Sequence, residues 1–291
     1  MEFSHVSIVI PAKNEAQGLR QLLPILSATF AGAEIIVVND GSSDETALVV
    51  TESGATLISH RYSLGNGAAI KTGARAASNE VLVFMDADGQ HAAADVLRLL
   101  ERYDEGYDMV VGARKRESQA SNRRWLGNAA YNFIASKIVG HKIDDLTSGL
   151  RVVTARKFRN YLYLLPNGFS YPTTITMAFF RSGYAISYVP IVAAPRLGES
   201  HLRVFKDGIR FLLIIFKVAT LYSPLKVFFP VAAMSFLTAC IYYFYTYMTD
   251  GRLTNMVVLL FVMSVIIFMI GLISEQITML LYKDSSDRDK R

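Results

Sequence analysis

Val81-Leu82-Val83-Phe84-Met85-Asp86-Ala87-Asp88-Gly89-Gln90-His91 is the stretch on which the fold turns. Its first five residues are apolar and read as a buried strand, with two carboxylates one residue apart at the C-terminal end. In an open α/β sheet that edge is where ligands bind. Asp86 and Asp88 repel each other unless a cation lies between them, and hard oxygen donors favour Mg2+ or Mn2+. A metal held there would bind a diphosphate and help it leave. Taken alone, the pair also fits a solvated strand end with two loop aspartates, so its surroundings decide.

On both sides of this stretch, apolar runs alternate with helical patterns. Strands are predicted at 6–10, 34–39, 55–59, 81–85 and 109–112, and helices at 15–29, 44–53, 67–77 and 93–105. Alternation at this spacing implies an α/β domain with a mainly parallel sheet covered on both faces. Beyond it, helical patterns cover 125–139 and 171–181. The 291 residues allow one sizeable domain plus an appendage, and a hydrophobic fraction of 52% is high for a fully soluble chain. Cys240 is the single cysteine, which excludes an intramolecular disulfide. Residues 1–10 run straight into a predicted strand, so no secretory signal is expected there. The net charge is +5, and the Lys and Arg residues gather at 114–124 and 196–226. Such patches suit an anionic membrane or a phosphate as well as nucleic acid.

The character of the chain changes after about residue 203. Residues 227–249 and 253–274 carry no charge, and each run of about 22 residues is long enough to cross the hydrocarbon core as a helix. Tyr242, Tyr243, Tyr245 and Tyr247 suit an interfacial belt, and Asp250-Gly251-Arg252 suits a tight turn between the spans. The turn has one Arg, whereas the opposite flanks hold Arg203, Lys206, Arg210, Lys217, Lys226, Lys283, Arg288, Lys290 and Arg291. The excess predicts an integral protein of the plasma or inner membrane with both termini and the α/β domain in the cytoplasm. Arg203, Arg210 and Lys217 recur every seven residues among apolar neighbours, which predicts an amphipathic interfacial helix. The expected organisation is a catalytic domain at 1–202, the interfacial helix at 203–223, a transmembrane hairpin at 224–282 and a tail at 283–291.

Two further strand ends carry polar residues: Pro11-Ala12-Lys13-Asn14-Glu15 and Asn39-Asp40-Gly41-Ser42-Ser43-Asp44. Asp40 could accept from a base N–H or a ribose hydroxyl, while Ser43 and Asp44 read better as caps of the next helix. Gly65-Asn66-Gly67 opens the helix containing Lys71, and a glycine-rich helix start can bind phosphate, although this pattern is too short for a dinucleotide fingerprint.

The segments 11–15, Val37–Thr46 (VVNDGSSDET), Gly65–Gly73 (GNGAAIKTG), Met85–His91 (MDADGQH) and Asp145–Arg151 (DLTSGLR) occur in this order. Together they resemble the family 2 glycosyltransferases of the GT-A fold. Within them, the chain is similar to the polyprenyl-phosphate glycosyltransferases, the group of dolichyl-phosphate mannose synthases and undecaprenyl-phosphate sugar transferases. The resemblance covers roughly residues 4 to 205, and the two spans match membrane-anchored members. It implies a Rossmann-like GT-A domain in which Pro11, Ala12, Glu15, Asp40 and Ala87 hold the nucleoside of the donor. Asp86, Asp88 and Gln90 would coordinate Mg2+ or Mn2+, with Asp88 also counted as catalytic. Arg114, Arg124 and Asn128 would meet the acceptor phosphate, although Asn128 replaces a serine of the family pattern. Thr147, Ser148 and Arg151 match the sugar-pocket segment, and residues 167–173 are expected to shape that pocket. Arg196 matches an arginine that reaches the donor phosphates and is the second expected catalytic residue. Ser200 follows the pattern, and His201 stands where a lysine is expected.

The implied partners are a nucleotide-sugar donor, a polyprenyl-phosphate acceptor, the membrane and further copies of the chain, with no nucleic acid. The implied reaction is inverting, metal-dependent sugar transfer. A lipid monophosphate has a second pKa near ~6 and is largely dianionic at neutral pH, so arginines suit its side of the site better than a strong general base. Three alternatives compete. A processive polysaccharide synthase would show Gln-x-x-Arg-Trp, whereas Ser121 stands where that Gln is expected before Arg124-Trp125. A transferase acting on a lipid-linked oligosaccharide or protein is nearer. A non-enzymatic membrane scaffold would be favoured by loss of Asp86 or Asp88, and both are present.

Overall fold

The computed structural model describes residues 3–114, 122–168, 171–192, 216, 219–220 and 222–289. The chain divides into two compact units, Met1–Asp207 and Gly208–Arg291.

The first unit is built on a seven-stranded sheet of order β3-β2-β1-β4-β6-β5-β7. The five predicted strands form as β1 (Val6–Ala12), β2 (Glu34–Asn39), β3 (Thr56–Ser59), β4 (Val81–Phe84) and β5 (Met109–Arg114). The predicted helices form as α1 (Ala16–Thr29), α2 (Thr46–Ser53), α3 (Asn66–Ala76), α4 (Ala93–Tyr103), α5 (Asn122–Val139) and α7 (Tyr171–Arg181). Short α6 (Ala155–Arg159) was not anticipated, nor were β6 (Arg151–Thr154) and β7 (Ile186–Ile191). They modify the expected sheet. β6 runs antiparallel to both β4 and β5, while the other pairings are parallel, so the sheet is mixed.

Apolar side chains of β1, β2, β4 and β6 pack on α1 and α4. Ile8, Leu19, Leu26, Val37, Val83, Leu99 and Val152 are fully buried in one cluster. Register then aligns the chemistry. Ala12 lies opposite Asn39, and Val9 opposite Phe84, so the segments that follow β1, β2 and β4 leave the sheet at the same edge.

The second unit is a helical hairpin of α8 (Pro224–Asp250) and α9 (Asn255–Asp289). Both are long and apolar enough to cross a membrane, with the apolar part of α9 ending at Tyr282. The 27 residues of α8 extend ~40 Å. Gly251 takes a left-handed conformation at the turn, as the Asp-Gly-Arg sequence suggests. The helices meet through edge-on aromatic pairs, Phe229 with Phe268 and Phe236 with Phe261. From α9, the Glu275 carboxylate accepts from the Leu225 N–H (3.2 Å) and the Ser223 hydroxyl (3.3 Å), capping the start of α8. Met234, Leu237 and Ile241 point outward, as side chains facing lipid would. Most of the predicted interfacial helix at 203–223 lies outside the described residues; Phe216, Ala219, Thr220 and Tyr222 within it are helical.

Candidate active site

At the C-terminal edge of β1, β2 and β4 lies a cavity of about 460 Å³. Its walls include Pro11, Ala12, Lys13 and Glu15 after β1, Asp40 after β2, and Asp86, Ala87 and Asp88 after β4. Thr147 and Gly149 close one side, and Gly168, Tyr171 and Pro172 another. The expected nucleoside positions and the carboxylate pair therefore share one cavity, which also reaches the 167–173 segment.

Asp40 is placed as expected, but its acceptor capacity is already used. Oδ1 accepts from the Leu64 N–H (2.8 Å) and lies 2.8 Å from His60 Nδ1; Oδ2 accepts from Ser63 Oγ and the Gly65 N–H, both at 2.8 Å. Four acceptor positions are the usual complement of a carboxylate. Burial pushes this acid up, and the hydrogen bonds from His60, Leu64, Ser63 and Gly65 outweigh it, bringing the pKa down to about 2. The loop 60–65 is thus folded around Asp40. Asp40 also lines the cavity. Lys13 Nζ joins the network by donating to Ser63 Oγ at 3.0 Å.

Asp44 behaves as the capping reading expects. It accepts from the Thr46 N–H (3.0 Å) and the Ala16 N–H (3.2 Å), tying together the starts of α2 and α1. At Gly65-Asn66-Gly67 the chain packs closely against the loop before α7. The Ala68 N–H donates to the Asn167 carbonyl (3.1 Å), and a Cβ on Gly67 would sit 2.1 Å from the Pro166 carbonyl oxygen. Lys71 strengthens the same junction by donating to Asn167 Oδ1 (2.6 Å) and the Leu165 carbonyl (3.0 Å). α3 therefore holds the 165–168 loop against the cavity.

Asp88 Oδ1 accepts the Gln90 N–H at 3.1 Å, which shapes the turn after β4. Gln90 itself is not among the cavity walls. The Asp86 carboxylate lies against Gly149, where an added Cβ would come within 2.6 Å of Oδ2. Among the described residues no group of three or more His, Cys, Asp or Glu side chains is placed to hold a metal. The oxygen donors of Asp86 and Asp88 still suit a hard divalent cation that completes its shell with phosphate oxygens and water. Gly149→Ala should displace the Asp86 carboxylate. We expect turnover to fall at least about tenfold with little change in Tm, checked by steady-state assay against divalent-metal concentration, since a misplacement of ~1 Å can cost ~10²-fold.

The 146–150 segment alternates between inward and cavity-facing side chains, as an extended chain does. Thr147 and Gly149 face the cavity; Ser148 is 1% exposed and Arg151 fully buried. Of the three residues expected at the sugar pocket, Thr147 lines the cavity, whereas Ser148 and Arg151 are buried and do not line it. Arg151 donates to the Ser148 carbonyl through Nε (3.0 Å) and Nη2 (2.8 Å), and through Nη1 to the Pro172 carbonyl and Thr176 Oγ1 (both 3.0 Å). It clamps the 147–149 segment to the start of α7. Burial lowers its pKa and outweighs the nearby Tyr171, Tyr188, Asp145 and Asp86.

Arg114 is paired within the protein. Nε and Nη2 donate to the two Asp145 oxygens (2.8 and 3.0 Å), and Nη2 also to Thr147 Oγ1 (2.6 Å). Burial pushes Asp145 up, but the Arg114 hydrogen bonds and charge more than offset this, so its pKa is lowered. Nη1 makes no hydrogen bond to a described residue. Arg124 and Asn128 lie on α5, but their side chains are outside the described part, as are Arg196, Ser200 and His201 altogether.

Residues 7–162 match the family described as Glycosyl transferase family 2, and residues 223–280 match the GtrB C-terminal hairpin. A dolichyl-phosphate hexose transferase of Haloferax volcanii is 28% identical over 71% of this chain and 90% of its own length. An undecaprenyl-phosphate 4-deoxy-4-formamido-L-arabinose transferase of Klebsiella pneumoniae is 32% identical over 50% of this chain, which spans only 47% of that protein. Among solved structures, glucosyl-3-phosphoglycerate synthase from Mycobacterium tuberculosis, in complex with Mn2+, UDP-glucose and phosphoglyceric acid, superposes with a TM-score of 0.59 at 20% identity. That match covers 74% of this chain and 79% of the other. It identifies the fold.

Proposed function

The chain belongs to glycosyl transferase family 2, and on that premise we propose that it transfers a sugar from a UDP- or GDP-linked donor to a membrane polyprenyl phosphate. The observation that carries the proposal is the single cavity in which Asp86 and Asp88 face Pro11, Ala12 and Glu15 beside the loop that Asp40 organises. The GtrB-type hairpin and the names of the relatives supply the acceptor class.

In this reading the backbone after β1 and the Asp40-centred loop receive the nucleoside, and the 167–173 segment with Thr147 surrounds the sugar. Asp86 and Asp88 hold Mg2+ or Mn2+, which when bound offsets charge on the donor diphosphate. Arg196 is assigned to the same diphosphate from its sequence segment alone. A phosphate oxygen of the acceptor attacks the anomeric carbon, the bond from that carbon to the diphosphate breaks, and the nucleoside diphosphate leaves. In-line attack inverts the anomeric centre. The acceptor is already an anion near neutral pH, so it requires orientation and charge compensation more than proton removal. Arg114 is suited to that task because Asp145 fixes Nε and Nη2 while Nη1 makes no hydrogen bond to a described residue. Arg124 and Asn128 are assigned beside it by resemblance. The hairpin keeps the enzyme on the membrane that holds the acceptor, since each CH2 of a polyprenyl tail drawn into water costs about 0.8 kcal/mol. The basic flanks of the spans support a cytoplasmic catalytic domain.

The test is incubation of the purified full-length protein with UDP- and GDP-sugars and either undecaprenyl or dolichyl phosphate, with and without chelator. The expected product is a charged glycolipid carrying one sugar, formed only with divalent metal. Sugar released only to water would refute the reading.

A further inference from the structure

His91 closes the MDADGQH motif and has no part in the roles assigned above. Its ring is buried, with a side-chain exposure of 5%, and Nε2 lies 3.7 Å from Asp86 Oδ2. Nδ1 is buried with no hydrogen-bond partner among the described residues. An imidazole confined this way is costly, because a polar atom removed from water without a partner loses its solvation. A leucine would fill similar space without that cost, so the other ring nitrogen is the place to look for compensation. At the same carboxylate, Gly149 has no room for a Cβ, whose nearest neighbour would be Asp86 Oδ2 at 2.6 Å. Asp86 Oδ2 thus neighbours both a glycine that leaves space for it and an imidazole within a small side-chain adjustment of a hydrogen bond.

We propose that His91 is a positioning residue for the divalent-cation site: its Nε2–H orients the Asp86 carboxylate so that the remaining lone pairs face the cavity. The inference rests on the metal reading of Asp86 and Asp88 given above and extends it to a residue that touches neither donor nor acceptor. Carboxylates that bind metals are commonly held by such outer partners, and losing one typically weakens metal binding by about 10–100-fold. The nitrogen concerned is specified. A glutamine places its amide nitrogen near the Nε2 position, and an asparagine places its own near Nδ1.

The experiment is Mn2+ binding to the full-length protein in detergent, read by the electron paramagnetic resonance signal of free Mn2+, alone and with UDP or GDP. No acceptor is present, so turnover does not enter. Wild type should bind Mn2+. His91→Leu and His91→Asn should bind about tenfold or more weakly, and His91→Gln should stay within about threefold of wild type. The Gln and Asn variants keep the comparison decisive should the Leu variant fail to fold. Equal binding by wild type, Asn and Gln variants would overturn the role of His91 while leaving the metal reading intact. Equal loss in the Asn and Gln variants, with wild type binding, would overturn it in favour of a packing role. No Mn2+ binding by wild type, alone or with either nucleotide, would overturn both.

Discussion

Asp88→Ala is expected to lower sugar transfer by about 10²–10³-fold, the scale seen when a group that stabilises charge on the reacting centre is removed. Asp88 lines the cavity and is held in the turn after β4 by the Gln90 N–H at 3.1 Å. Its side chain is half-buried and outside the apolar cluster that supports the sheet, so its loss removes chemistry with little packing. Tm should therefore move by no more than a few degrees. The variant should also stop responding to chelator, because nothing metal-dependent is left to remove. Steady-state assays with and without chelator check both points. Unchanged turnover that is still abolished by chelator would place the cation elsewhere.

Arg114→Ala is expected to give the largest loss of stability. Asp145 is buried, and the Arg114 side chain supplies two of its hydrogen bonds and the opposing charge, while the Arg114 N–H donates a third at 3.3 Å. Removing the partner of a buried carboxylate leaves its charge uncompensated and costs about 3–5 kcal/mol. For a unit of this size that is a Tm loss of roughly 6–20 °C. Asp145→Asn in the same chain should recover much of it, because the stranded charge is gone. The double variant separates stability from function. If Arg114 also meets the acceptor phosphate, the restabilised protein should still show a strongly raised KM for the lipid acceptor and a nearly unchanged KM for the donor. Recovery of both would confine Arg114 to its pairing with Asp145. The sign of the pH dependence follows from the lowered Asp145 pKa. The pair's contribution is complete above the ordinary carboxylate range and is lost as pH falls through the folded-state value.

The sheet edge was legible because strand ends in this chain are marked by local patterns. Apolar runs stop at Pro11, Asn39 and Asp86, and the structure brings all three together. What escaped the sequence was set by distant partners. β6 begins with an arginine, and four residues opening on a charge do not read as a central strand; Arg151 is buried only because carbonyls at 148 and 172 converge on it. Asp40 lies at the sheet edge that its strand end marks, but its partners were not legible, because its four hydrogen bonds come from residues 60–65, twenty or more positions downstream. The packing at Gly65-Asn66-Gly67 was hidden for the same reason. Local pattern cannot tell a phosphate from a protein carbonyl, and here the nearby carbonyl belongs to Asn167. Gly149 and His91 carried no signal of their own beyond their place in motifs, since each acts through Asp86.

The central claim is that the sugar moves to the phosphate of a polyprenyl lipid. Its most direct test offers the full-length protein in bilayers a labelled nucleotide sugar together with polyprenyl phosphate, the dephosphorylated polyprenol and a lipid-linked oligosaccharide. The account predicts that label enters polyprenyl-phosphate monosaccharide alone, one sugar for each nucleoside diphosphate released, with the anomeric configuration inverted. Label on the polyprenol or the oligosaccharide, with polyprenyl phosphate left unmodified, would contradict it.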